Sequence, residues 1–487
     1  MLFARAARRS ILPPSARLAV SRHASTVSPS PSLSPSLWPV NSAAHSHRVV
    51  VVGAGTAGLT ISHQLLRSKR FSQDEIAVID PSAWHHYQPG WTLVGGGLKA
   101  KDRLRRPLQD LVSPRLKFYR HTVNTFCPDS NTIMLDDGRR IAYEHLVVVP
   151  GIEIDYGSIR GLPQALADPS VPVSSIYGYE FCDKAFKTIE NLKKGTAIFT
   201  QPTGIVKCAG APQKIMWLAL DHWQKTGRYT YRPGTGAAAA AVEEDSPIKI
   251  KFATGLASLF GVPKYSAVLE QLRCQRCVEG YFQHDLVAVE GNQAVFNVAL
   301  PHPEGDAGRN GNGNGSGTVA ASTTRKVQFD LLHVVPKMGP YAFIKKSPIS
   351  DKAGYVEVDE ATTRHRRYSN IWSAGDASSL PTSKTVAAIT GQAPVLVHNM
   401  LQAMDGKPPD AVYDGYTSCP LLTEYGKVLL AEFKYGGEPS ETFNRWFGID
   451  QAVPRRAFYH LKKDFFPWVY YSSMVKGTWR GPKGWSV

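Results

Sequence analysis

The stretch RVVVVGAGTAGLTISHQLL, which starts at Arg48, admits few folds. Successive valines read as a strand buried on both faces, the glycines as a tight turn, and the remainder as a helix. Gly53, Gly55 and Gly58 stand in the G-x-G-x-x-G spacing, with Ala54, Thr56 and Ala57 between them. The first glycine permits the turn, the second lets backbone approach a pyrophosphate, and the third packs helix against strand. The helix N-terminus then offers amide donors and a positive dipole end to phosphate. Asp80 closes the next strand, EIAVID, at the spacing of a carboxylate that bonds a ribose. A glycine triplet alone says little, but strand, turn, helix, strand and acidic terminus in register predict a nucleotide-binding unit.

Further strand-like segments, HLVVVPG and YSNIWSAGDAS, return to this unit, and a second strand–helix series runs through GTAIFTQP and IKIKFATG. The chain therefore reads as an α/β protein with two Rossmann-like nucleotide-binding domains, the second inserted into the first. The expected organisation is a leader and linker over 1–46, the first domain over 47–165 and 330–395, the second over 166–329, and a C-terminal region over 396–487. The glycines do not separate FAD from NAD. Ala374-Gly375-Asp376 does so in combination, because a Gly-Asp after the last strand sets a carboxylate on ribityl hydroxyls. A helix from about Lys384 would aim its N-terminus at the isoalloxazine and favour the negative charge of a reduced flavin. FAD is the expected cofactor.

Hydrophobic residues make up 43% of the 487 residues and charged residues 20%, so disorder is expected only locally. The segments from Thr235 to Pro247 and from Glu304 to Thr324 are low-complexity and receive no function. No run of eighteen or more apolar residues predicts a transmembrane helix. The net charge of +16 comes without any zinc, zipper or RNA-binding signature, so no nucleic-acid partner is expected. The first acidic residue is Asp74, and Arg5, Arg8, Arg9, Arg17 and Arg22 stand among serines and alanines. That is the composition of a mitochondrial transit peptide.

Of the cysteines, Cys127 and Cys182 carry no motif, and Cys274-Gln-Arg-Cys277 ends a helix outside any redox context. One such pair is half a zinc site, so no metal is expected. Cys208 differs. Where a pyridine-nucleotide domain would repeat the glycine fingerprint, the second domain has PTGIVKCAGAP, with Pro212 opening the following helix. A cysteine at a helix N-terminus beside a lysine, Lys207, has a lowered pKa and reacts as thiolate. The domain has the shape for NAD(P)H without the fingerprint, and carries a nucleophile in its place.

KCAGAPQKIMWL, HYQPGWTLVGGG, GDASSLPTSKTVAA and YDGYTSCPLLTEYGKVLLAEF together resemble the mitochondrial type of sulfide:quinone oxidoreductase, from about Arg48 to the C-terminus. The resemblance implies a redox pair, Cys208 and Cys419, bridged through sulfur when oxidised. It implies FAD contacts at Gly53 to Gly58, Asp80, Gln88, Val123, Asp376, Lys384 and Thr385, with Lys214 and Lys462 as supporting cations. Hydrogen sulfide would open the bridge by thiol–disulfide exchange, leaving a persulfide on Cys419. Two electrons would pass through FAD to ubiquinone, and the sulfane sulfur to glutathione or sulfite. The nearest rival, a type II NADH:quinone oxidoreductase, needs an intact second fingerprint and no cysteine pair. A flavin-bearing scaffold would leave Cys208 dispensable.

From Arg455 the tail interleaves Phe, Tyr and Trp with Lys and Arg, and Asp464 is its one acid. Such a segment reads as an interfacial anchor on an anionic membrane surface, peripheral on the mitochondrial inner membrane.

Overall fold

The valines of the opening stretch form the strand His45–Val52, which pairs in parallel with Ile76–Ile79 on one side and Arg140–Val148 on the other. In this computed structural model residues 45–232, 241–299 and 322–479 are described. The first sheet runs in the order Lys117–Tyr119, Ile76–Ile79, His45–Val52, Arg140–Val148, Thr132–Leu135, Val123–Cys127, and Ile371–Trp372 also pairs with Arg140–Val148. Val49 to Val52 are buried on both faces, as an unbroken apolar strand requires when helices cover a parallel sheet. The strand starts at His45, inside the segment assigned to leader and linker, because His45, Ser46 and His47 already pair with Ile141 to Tyr143. The rest of that segment lies outside the described residues, as do residues 235–240 of the first low-complexity segment and 304–321 of the second.

A second, parallel sheet has the order Val173–Ser174, Leu331–His333, Gly195–Gln201, Ile248–Thr254, Glu279–Tyr281. Its strands fall in sequence between the strands of the first sheet and the returning Ile371–Trp372, so two Rossmann-like layers are threaded one within the other. Helix Ala211–Lys225 follows strand Gly195–Gln201 and is buried along most of its length, with Trp217 and Trp223 fully enclosed. The antiparallel hairpin Thr417–Glu424 and Lys427–Phe433 packs on this helix: Cys419, Leu421 and Leu429 share a core with Ile215 and Met216, and Leu218 joins Leu422 and Leu430. This packing brings residue 419 to residue 208.

No helix among the described residues is long and apolar enough to cross a membrane. The tail forms a helical run over Arg456–Met474 with wide π-type turns at Leu461–Phe465 and Tyr470–Met474. Its two sides differ. Phe458, Tyr470 and Met474 are buried in the cores, whereas Trp468 is 63% exposed and sits with the exposed Phe465.

Candidate active site

At the glycine turn, Gly53 has φ +102°, and a Cβ there would lie 2.6 Å from both Pro150 Cα and the Val149 carbonyl oxygen. Only glycine fits. Gly55 is the opposite case: a Cβ would meet nothing within 4 Å, so the turn leaves open space in front of the N-terminus of helix Thr56–Arg67. Asp80 accepts from the Ala54 amide at 2.7 Å and from the Ser82 amide at 2.8 Å, which fixes the turn from below.

The open space belongs to a cavity of about 550 Å³. Gly55, Thr56 and Ala57 line one part of its wall, Gln88 another, and Asp376, Lys384 and Thr385 a third. The Gly375 amide donates to Gln392 Oε1 at 2.7 Å, which holds the Gly-Asp turn. The Asp376 carboxylate faces the cavity with no hydrogen-bond partner among the described residues; burial raises its pKa, and Lys207 and Lys384 oppose that. Thr385 caps helix Val386–Met404, its hydroxyl accepting from the Ala388 amide at 3.0 Å. Tyr341 lines this cavity and also a second, of about 600 Å³, whose wall includes Val123 and Glu153. Val123 thus stands at the second cavity, and Asp80 lines neither.

These features fit FAD. The space before Gly55 suits a pyrophosphate at a helix N-terminus, the partnerless Asp376 suits ribityl hydroxyls, and the start of helix Val386–Met404 offers its positive end to a reduced ring.

Cys208 and Lys214 line the same cavity, and Cys419 lies buried behind Cys208. Cys208 and Cys419 place their Sγ atoms 3.5 Å apart, and Lys214 Nζ donates to Cys208 Sγ at 3.2 Å. Cys208 sits in the left-handed region at φ +51°, its amide donating to the Lys384 carbonyl at 2.8 Å and its own carbonyl accepting from Ala211 at 2.7 Å. The turn thereby folds back so that Lys214, in the first turns of helix Ala211–Lys225, reaches the sulfur. Tyr177 donates to the Lys207 carbonyl at 3.0 Å and secures the other side of the turn.

The cysteine's cation is therefore not Lys207, the sequence neighbour. Lys207 points away and donates to Gln88 Oε1 at 3.3 Å, facing Asp376, because the left-handed backbone at Cys208 turns the chain between the two side chains. Lys462 joins from the tail, buried, donating to the Pro89 carbonyl at 3.2 Å. Burial pushes Lys462 down to about 7. The hydrogen bond from Cys419 holds Cys208 well below the usual thiol range, aided by the charges of Lys214 and Lys462, and the same bond drives Cys419 up. Cys208 is the thiolate and Cys419 the thiol that donates to it. Gly210 makes room for the pair, since a Cβ there would lie 2.7 Å from Cys419 Sγ.

Relatives of known identity match this chain over most of its length. The mitochondrial sulfide:quinone oxidoreductase of Schizosaccharomyces pombe is 44% identical over 460 residues, covering 90% of this chain and 92% of that protein. The chain belongs to the sulfide:quinone oxidoreductase family. It is an FAD-dependent oxidoreductase. Another mitochondrial sulfide:quinone oxidoreductase, from Dictyostelium discoideum, is 39% identical, covering 89% of this chain and 87% of its own length. The solved sulfide:quinone oxidoreductase of Aquifex aeolicus matches with a TM-score of 0.65 at 15% identity, over 88% of this chain and 92% of that one, and so shares the fold. No family model matches the chain.

Several residues of the site carry no signal of their own in the sequence. Tyr177 and Gly210 act through a turn whose shape is not readable from composition, and Tyr470 reaches the cavity from a tail that reads as an anchor. The segment HYQPGW does contain the cavity residues Tyr87 and Trp91 next to Gln88.

Proposed function

We propose that the protein oxidises hydrogen sulfide at the Cys208–Cys419 pair and passes two electrons by way of FAD to ubiquinone. The observation that carries this reading is the sulfur pair itself, 3.5 Å apart, with a lysine 3.2 Å from Cys208, and both Cys208 and that lysine on the wall of the cavity that suits the flavin.

With the pair oxidised to a disulfide, hydrosulfide attacks Cys419 Sγ and the S–S bond breaks. Cys419 becomes a persulfide, Cys–S–SH, and Cys208 departs as thiolate, so one anion enters and one remains. Lys214 and Lys462 stabilise charge on Cys208, which makes it the better leaving group and directs the attack to Cys419. A thiolate such as that of glutathione, or sulfite, then takes the outer sulfur with its hydrogen, and Cys419 is left as a second thiolate. Lys214 lies among both sulfurs and holds the two negative charges together. The thiolates rejoin as a disulfide and release two electrons, for which bound FAD supplies the relay to ubiquinone. Two protons from water complete the quinol.

The second element of the proposal is location. Trp446, Phe447, Phe465 and Trp468 are exposed, Arg445 precedes Trp446 in the sequence and Arg456 and Lys463 precede Phe465, and Trp446 and Phe465 also line the cavity. Aromatic rings at headgroup depth with cations around them suit an anionic bilayer surface, here that of the mitochondrial inner membrane. A lipid-soluble quinone then enters the cavity from the bilayer side.

The test is sulfide-driven reduction of a water-soluble ubiquinone analogue by the wild type, Cys208→Ser and Cys419→Ser. The reading requires turnover in the wild type alone. Full activity in either variant would remove the pair from the reaction.

A further inference from the structure

The tail closes one side of the cofactor cavity; Tyr470, Met474 and Val475 pack in the core with Leu59 and Leu65, and a set of hydrogen bonds adds to that apolar docking. Tyr470, 1% exposed, sets its hydroxyl 2.6 Å from Thr56 Oγ1 and 2.7 Å from Nε2 of His85. The other ring nitrogen of His85, Nδ1, lies 3.1 Å from the Ala54 carbonyl. Burial lowers His85 to about 4, so the ring is neutral: Nδ1–H donates to Ala54 and Nε2 accepts from Tyr470. The Tyr470 oxygen in turn accepts from Thr56. A tail residue thus braces two members of the glycine turn.

The contact continues along the helix that follows that turn. Thr60 Oγ1 donates to the Met474 carbonyl at 3.3 Å, His63 Nδ1 to the Val475 carbonyl at 2.5 Å, and Arg67 Nε to the Lys476 carbonyl at 2.9 Å. Residues 56, 60, 63 and 67 form one face of a helix. Gly477 ends the seam at φ +69°, where a Cβ would lie 2.6 Å from the Gln64 amide nitrogen. Val469, Tyr470 and Met474 of the same run line the cavity.

We propose that the C-terminal tail is a cofactor clamp: its docking on helix Thr56–Arg67 and the binding of FAD at that helix's N-terminus are coupled through Tyr470 and His85. Docking fixes Ala54 and Thr56 where the pyrophosphate must be met, and walls the cavity with Tyr470. The coupling is reciprocal by linkage, so FAD also favours the docked tail. The inference rests on the cavity being the flavin site.

The experiment uses the full-length holoprotein. FAD release after dilution is followed by flavin fluorescence in the wild type, Tyr470→Phe, Gly477→Val and Trp468→Ala. Tyr470→Phe keeps the ring and is expected to release FAD about tenfold faster. Gly477→Val, which lines no part of the cavity, is expected to speed release as well, and exposed Trp468→Ala to leave it unchanged. In the reciprocal arm, trypsin cleavage at Lys463 and Lys476 is timed before and after flavin is stripped and restored. Cleavage should quicken on stripping and slow on restoration in the wild type, with less protection in Tyr470→Phe. Wild-type release rates in both Tyr470→Phe and Gly477→Val, or cleavage indifferent to flavin, would overturn the clamp. A wild type that carries and binds no flavin would sink the flavin reading itself, and the clamp with it.

Discussion

Two turns in this molecule join a parallel strand to the helix after it, and they do different work. After His45–Val52 the chain needs only the residues 53–55 to enter helix Thr56–Arg67; after Gly195–Gln201 it spends residues 202–210 before helix Ala211–Lys225. The first turn is lined with glycines and leaves space at a helix N-terminus. The second fills that place with Cys208, in a left-handed conformation pinned by Lys384 and Tyr177. One topology thus opens space at a helix N-terminus once and holds a cysteine sulfur against its partner once. Fold alone says little about function; what stands in the turn decides it.

The two turns differ most at sulfur. Cys208→Ser should retain flavin and lose sulfide-driven turnover by about 10³-fold or more, measured with a quinone analogue, because neither thiol exchange nor the thiolate survives. A pair of glycine variants sharpens the contrast. Gly210→Ala pushes into Cys419 Sγ and should cost about 10²-fold in sulfide-dependent flavin reduction with flavin content intact. Gly55→Ala meets no protein atom, so the fold should hold while flavin content at purification falls.

Charge separates the turns next. Burial holds Lys462 near 7, against about 10.4 in an unfolded chain. Between those values the unfolded state binds more protons, so this residue makes stability rise with pH across that window; below it the full cost of burying the amine applies. Lys462→Met should therefore raise Tm most near about pH 6, and the gain should shrink toward about pH 10. The smallest effect is at the cap: Thr385→Ala removes the hydroxyl that holds the Ala388 amide and should cost about 1 kcal/mol in denaturant unfolding.

The two turns also differ in how far the sequence reveals them. The first is a local pattern in which each glycine's task follows from spacing, and the fold class follows from the alternation of strands and helices around it. The second is legible only in part. An absent fingerprint and a cysteine before a helix mark the place, but the choice of Cys419 as partner comes from family resemblance, since 211 residues separate the two sulfurs and a hairpin must dock to join them. Adjacency suggested Lys207 as the activating cation. The left-handed backbone at Cys208 turns Lys207 toward Gln88 and brings Lys214 to the sulfur instead. The tail was legible as amphipathic, but not which of its aromatics face inward: Tyr470 reaches Thr56 and His85, whereas Trp468 is exposed.

On the proposed function, electrons reach the flavin from sulfur at Cys208 and Cys419. Anaerobic titration of the purified protein with sulfide, and separately with NADH, tests it by the flavin spectrum. The account predicts bleaching or a long-wavelength band with sulfide, lost in Cys208→Ser and Cys419→Ser, and reoxidation by a ubiquinone analogue. Reduction by NADH with indifference to sulfide would contradict it, and would mean that the second turn still serves a pyridine nucleotide.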